Sequence, residues 1–78
     1  MQLTPVQSSN LDAVGYDNLQ HILFVRFKGK ATVYAYQGVP PETHALMMSA
    51  DSVGSFYARH IKKQFNSEQV GGQEDEVL

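Results

Sequence analysis

A chain of 78 residues with a net charge of −2 has room for one domain and only a thin margin of stability, because a short chain buries a smaller fraction of its surface than a long one. It contains no Cys, which excludes disulfide staples and thiolate metal sites. No basic segment followed by an apolar run opens it, and apolar runs such as Ile22 to Val25 are far short of the roughly 20 residues a bilayer span needs; a soluble, cytoplasmic protein without a membrane partner is expected.

Residues 1–70 are expected to form one domain and 71–78 a disordered acidic tail, since Gly71-Gly72 breaks structure and Glu74, Asp75 and Glu76 follow. Without that tail the chain holds six basic and five acidic residues. The six bases fall in two short clusters, Arg26, Lys28 and Lys30, then Arg59, Lys62 and Lys63. Such clusters read either as a solvated hairpin tip and helix face or as an electrostatic footprint for a polyanion.

Met1 to Asn10 is polar and expected to be loosely held. A first strand is predicted at about 11–16, with Leu11, Ala13 and Gly15 alternating against Asp12, Val14 and Tyr16. Asp17-Asn18 signals a turn, because both side chains bond nearby backbone. The second strand, about 20–28, is the strongest, rich in the residue types that fit a pleated surface. Lys28-Gly29-Lys30 supplies a turn and about 31–37 returns. Pro40-Pro41 ends the sheet and starts a helix at about 41–49, with Leu46 and Met47 inward. Asp51 or Ser52 caps a second helix, about 52–65, where Val53, Phe56, Tyr57, His60, Ile61 and Gln64 fall at helical spacing. The fold class is therefore α+β: a three-stranded antiparallel meander with two helices on one face.

The hairpin loop decides where the tyrosines point, because register fixes which side chains share a face. A two-residue loop, Gly29-Lys30, sets Val25 opposite Tyr34 and Leu23 opposite Tyr36. One face then carries Leu23, Val25, Phe27, Tyr34 and Tyr36, while Ile22 and Phe24 are exposed beside Arg26 and Lys28 on the other. A three-residue loop instead joins Phe24, Tyr34 and Tyr36 to Arg26 and Lys28, a platform on which single-stranded bases would stack. The two-residue loop is favoured: Gly at its first position suits a type II′ turn, and the helices gain a single bulky face to cover. Leu23, Val25, Phe27, Tyr34, Tyr36, Phe56 and Ile61 are then structural, and the tyrosine hydroxyls need partners.

Several segments in order carry a resemblance: Val14-Gly15-Tyr16-Asp17, Leu23-Phe24-Val25-Arg26-Phe27, Val33-Tyr34-Ala35-Tyr36, Gly38-Val39-Pro40, Ala50-Asp51-Ser52-Val53-Gly54-Ser55-Phe56, then Ile61 and Phe65. Together they resemble the KTSC domain over about residues 8 to 66. That family is named for a segment at the C-terminus of some lysyl-tRNA synthetases and occurs as small stand-alone bacterial and phage proteins. The resemblance implies RNA binding only by association with a synthetase. Ala58 stands where many members carry Asn, so any contact made by that Asn is lost here.

Catalysis finds no support in the sequence. Ser49, Ser52 and Ser55 lie near His60, Asp51 and His44 in sequence, but no nucleophile is held in the context a base would require. His21, His44 and His60 fall on three elements without ligand spacing, so neither metal nor cofactor is expected. Ser52, Gly54 and Ser55 form a candidate anion site at a helix start. The expectation is a non-catalytic binding module. Nucleic acid, RNA foremost, would meet Arg26, Lys28, Lys30, Phe24, Arg59, Lys62 and Lys63. The alternative is a protein-interaction or homodimerisation module, monomer or weak homodimer, using the exposed sheet face or an edge.

Overall fold

In a computed structural model, which describes residues 2–71, five strands form one antiparallel sheet in sequence order. They are β1 (Thr4–Pro5), β2 (Leu11–Asp17), β3 (Ile22–Phe27), β4 (Val33–Gln37) and β5 (Ser67–Gly71). Two helices, α1 (Pro41–Met48) and α2 (Val53–His60), lie between β4 and β5 in the chain. The α+β class and the two helices match the sequence reading, whereas the three-stranded meander is corrected to five strands.

The extra strands sit at the two edges. β1 pairs Thr4 with Val14 and Pro5 with Ala13. Residues 2–10 are thus not simply loose: Val6 packs against the core and its N–H donates to the Asp12 carbonyl at 3.1 Å. β5 pairs Tyr36 with Ser67, Tyr34 with Gln69 and Val33 with Gly71. Its side chains up to Val70 are exposed, so backbone hydrogen bonding rather than apolar patterning makes it a strand. Gly71, assigned from sequence to the tail, closes β5, and the rest of that tail lies outside the described residues.

The central hairpin has the favoured register: Val25 faces Tyr34 and Leu23 faces Tyr36. The turn itself falls one residue earlier than expected. Lys30 N–H donates to the Phe27 carbonyl at 3.2 Å and Gly29 has φ +77°. A positive φ at the third turn position is the type II requirement that glycine meets without strain, so Gly29 is not the first loop residue of a type II′ turn.

A bulge shifts β2. Leu11 pairs with Phe27 and Ala13 with Arg26, leaving Asp12 as the extra residue. Leu11 therefore joins Val14 in the core instead of alternating against it. The face under the helices holds Leu11, Val14, Leu23, Val25 and Tyr36, closed by Val39, Met47, Val53, Tyr57 and Ile61. Each large apolar side chain fully buried here contributes about 1.5–3 kcal/mol. On the opposite face Ala13, Val33 and Ala35 are also buried. Phe24 stands between Gly15 and Ala35, and Arg26 between Ala13 and Val33.

α1 starts at the expected prolines, with Pro41 in its first turn. Met47 is fully buried, but Leu46 is 60% exposed and points outward rather than inward. α2 is capped by Ser52, whose hydroxyl accepts the Ser55 N–H at 3.2 Å. It ends at His60, not Phe65. Ile61 drops into the core and Lys62 N–H reaches back to the Tyr57 carbonyl at 3.0 Å. The chain then turns so that the Asn66 carbonyl accepts the Gln37 N–H at 2.9 Å, which starts β5. Of the expected helical stripe, His60 and Gln64 are exposed. No described helix is long and apolar enough to cross a membrane.

Candidate nucleic-acid interface

The structure divides the expected site residues among three places. Phe24 and Arg26 lie on the face of the sheet away from the helices. Lys28 and Lys30 flank Gly29 at the exposed hairpin tip. Arg59, Lys62 and Lys63 are exposed at the C-terminal end of α2 and in the turn that follows.

Arg26 is not a free cation. Its Nη2 lies 2.8 Å from Asp12 Oδ2, and its Nε donates to the same oxygen at 2.8 Å. The bulge that leaves Asp12 unpaired in the ladder presents this carboxylate to Arg26. Phe24 and Ile22, expected to be exposed, are half-buried, so the apolar patch anticipated on that face is much reduced. The large exposed apolar side chains among the described residues are Leu19, Leu46, Met48 and Val70.

The β3 end of the hairpin tip is tied to the rest of the domain. Lys28 N–H donates to the Asn10 carbonyl at 2.9 Å. The neighbouring Phe27 ring meets Tyr34 edge-on at 5.8 Å and Tyr57 of α2 at 5.5 Å. Because the Tyr57 carbonyl also accepts from Lys62 N–H, one core contact, Phe27 to Tyr57, links the strand that leads to the tip with the helix that leads to the second basic cluster. Of the six Lys and Arg residues in the chain, the one with a carboxylate within ion-pair distance among the described residues is Arg26.

The tyrosines of the sheet offer little surface for aromatic stacking. Tyr36 is 5% exposed, and its hydroxyl pairs with that of Tyr57 at 2.5 Å. Burial pushes the Tyr57 phenol well above its ordinary range, and the Tyr36 hydrogen bond pushes it further. Tyr34 is half-buried against Phe27. Tyr16 donates to the Val39 carbonyl at 2.5 Å and stacks on His44 with ring centroids 4.5 Å apart.

The candidate anion site is only partly assembled. Ser52 and Ser55 are engaged with each other as the helix cap. Gly54 is buried, and a Cβ there would meet Asn10 Oδ1 at 2.6 Å and Ser8 Oγ at 2.7 Å. Gly54 therefore admits the Ser8–Asn10 turn rather than a ligand. A shallow groove of about 340 Å³ does run beside it, lined by Ala50, Asp51, Ser52, Ser55, Phe56, Arg59 and His60. Sequence reasoning missed His60 as a lining residue: its ring lies against Phe56 at 4.7 Å, on the outside of the helix rather than at the core edge. It also missed Asp12 as the partner of Arg26, because a bulge leaves no mark in the alternation of residues.

The comparisons with known proteins are consistent with this fold. The family model described as the KTSC domain matches residues 7–65. A KTSC domain protein from Yersinia pestis, known from a crystal structure, is 37% identical with a TM-score of 0.83; the match covers 90% of this chain and 97% of that one. A protein from Tsukamurella paurometabola is 42% identical over 65 residues, covering 83% of this chain and 96% of the relative. An uncharacterised protein from Stutzerimonas stutzeri is 41% identical over 64 residues, covering 82% and 89%.

Proposed function

Starting from the chain's membership of the KTSC domain family, we propose that it is a non-catalytic module that binds single-stranded RNA through its phosphates. The observation that carries this reading is the set of five exposed cations, Lys28, Lys30, Arg59, Lys62 and Lys63, none with a carboxylate partner among the described residues. A cation that is not committed to an internal carboxylate is free to replace counterions on a phosphate chain. The burial of Tyr36 and the half-burial of Phe24 leave little surface for base stacking. Recognition by this site would be independent of sequence and strongly dependent on salt, since phosphate contacts position a ligand without reading its bases.

Fluorescence anisotropy with a short oligouridylate tests the proposal. At about 20 mM salt the protein binds, and affinity falls with added salt at a slope of about −0.7 for each phosphate contacted. Lys28→Ala with Lys30→Ala weakens binding, as does Lys62→Ala with Lys63→Ala. Arg26→Ala has a much smaller effect on affinity, because Asp12 already holds that guanidinium. Absence of binding at low salt would end this reading.

A second reading, association with protein, is favoured by a different observation. Leu46 is 60% exposed and Met48 37% on one helix, and β5 is an edge strand. It would be supported by self-association lost on Leu46→Asp, and refuted by sedimentation as a monomer at every concentration together with failure to capture a partner.

A further inference from the structure

The groove on the outer side of α2 combines three features that no core role absorbs. The link between the helices lines it with Asp51, and α2 lines it with Phe56, Arg59 and His60. Those three α2 residues are spaced i, i+3 and i+4, which sets them on one helix face. The Phe56 ring is half-buried, packed in part against the core, and His60 is exposed. Their ring centroids lie 4.7 Å apart with the planes tilted by 45°, so the rings form an angled aromatic wall rather than a closed stack. Asp51 and Arg59 bring opposite charges to the same groove, yet neither has an ion-pair partner among the described residues. The volume, about 340 Å³, is at the small end of the range for ligand sites and admits a single nucleotide rather than a larger molecule.

These features select the occupant. An aromatic wall takes a planar ring by stacking. An unpaired carboxylate accepts from N–H donors, and an unpaired guanidinium takes a phosphate. A bare anion would be repelled by Asp51 and a bare cation by Arg59. Guanine presents two adjacent donors, its ring N–H and its exocyclic amino group, which match the two oxygens of a carboxylate. Uracil presents one N–H between two carbonyls, which a carboxylate repels. We propose that the groove takes one guanine base of single-stranded RNA, stacked on Phe56 and His60, with its Watson–Crick edge on Asp51 and its phosphate on Arg59. The adjoining phosphates then run toward Lys62 and Lys63, exposed in the turn after α2. That RNA supplies the guanine rests on the reading above; the groove adds a base preference that phosphate contacts alone cannot give.

The test compares a short oligouridylate with the same oligomer carrying one central guanosine, by fluorescence anisotropy on the full chain. The guanosine oligomer binds about 5–10-fold tighter. His60→Ala, at an exposed position, and Phe56→Leu, which keeps the apolar packing, each reduce that advantage. Asp51→Asn removes most of it. If Asp51 acts only as a repulsive charge, Asp51→Asn strengthens binding of both oligomers equally, which overturns the base contact. Free guanosine monophosphate, titrated by NMR, shifts the resonances of Phe56 and His60, and uridine monophosphate does not. Equal affinity for the two oligomers, with Phe56 and His60 unmoved by guanosine monophosphate, overturns the groove and leaves the RNA reading standing. Shifts at Phe56 and His60 with neither oligomer bound keep the groove as a free-nucleotide site and end the RNA reading instead.

Discussion

The hydroxyls of Tyr36 and Tyr57 meet 2.5 Å apart inside the core, joining the sheet to the second helix. Their rings cross edge-to-face with centroids 5.7 Å apart. Each phenol is the partner that lets the other be buried, since a buried hydroxyl without a hydrogen bond is costly. This pair keeps the aromatic ring of Tyr36 from serving as a base-stacking surface, and so bears directly on how the domain could hold a nucleic acid.

The pair is energetically coupled. Tyr57→Phe strands the Tyr36 hydroxyl and costs about 1–3 kcal/mol, and Tyr36→Phe does the same to Tyr57. The double variant, with two apolar rings of the same shape, costs less than the sum of the two. Urea denaturation of all four proteins measures the coupling; strictly additive losses would show that the hydroxyls do not depend on one another.

Gly15 reports on the N-terminal segment. A Cβ at this position would collide with the Gln2 carbonyl, and would lie 2.9 Å from Leu3 Cδ2. Gly15→Ala is expected to destabilise by about 1–3 kcal/mol through overpacking. Deleting residues 1–5 removes the obstruction, so in that background the same substitution has a much smaller effect. Equal losses of thermal stability in both backgrounds would place the strain elsewhere.

Acid weakens the domain through His44. Its imidazole lies parallel to the Tyr16 ring on the edge of the core, with Glu42 two residues away on the same helix, and burial lowers its pKa below the ordinary 6.5. The unfolded chain then takes up the proton before the folded one does. The contribution is present above about pH 6.5 and declines as pH falls toward the lowered folded value. Urea midpoints at about pH 7.5 and pH 5 check this, with His44→Gln losing part of the acid decline. An imidazole that titrates at its ordinary pH by NMR would remove His44 as the cause.

The middle of the molecule was legible in the sequence. Lys28-Gly29-Lys30 restricts the turn to two registers, and the favoured one sets Val25 against Tyr34 and Leu23 against Tyr36. Ser52 announces the second helix by its capping hydroxyl, and Val53, Tyr57 and Ile61 at helical spacing place its buried stripe. These are local signals, carried by turn chemistry and periodicity. The basic residues were legible too, as residues, but their availability was not. Arg26 looks like Lys28 on paper, yet one is bound to Asp12 and the other is free of carboxylates among the described residues. Leu46 and Met47 were indistinguishable by type, and packing buries only Met47.

The amino-acid order alone indicated the class of fold and narrowed the central hairpin to two registers and the second cap to Asp51 or Ser52, because each depends on residues within a few positions of one another. Tertiary contacts decided the rest. They recruited Thr4–Pro5 and Ser67–Gly71 as edge strands, since ladder hydrogen bonds need only backbone and leave no trace in side-chain pattern. They ended the second helix at His60, after which the chain turns so that the Asn66 carbonyl accepts the Gln37 N–H beside β5. They also brought Gly71 beside Val33, a meeting of residues far apart in the chain that no local rule could foresee.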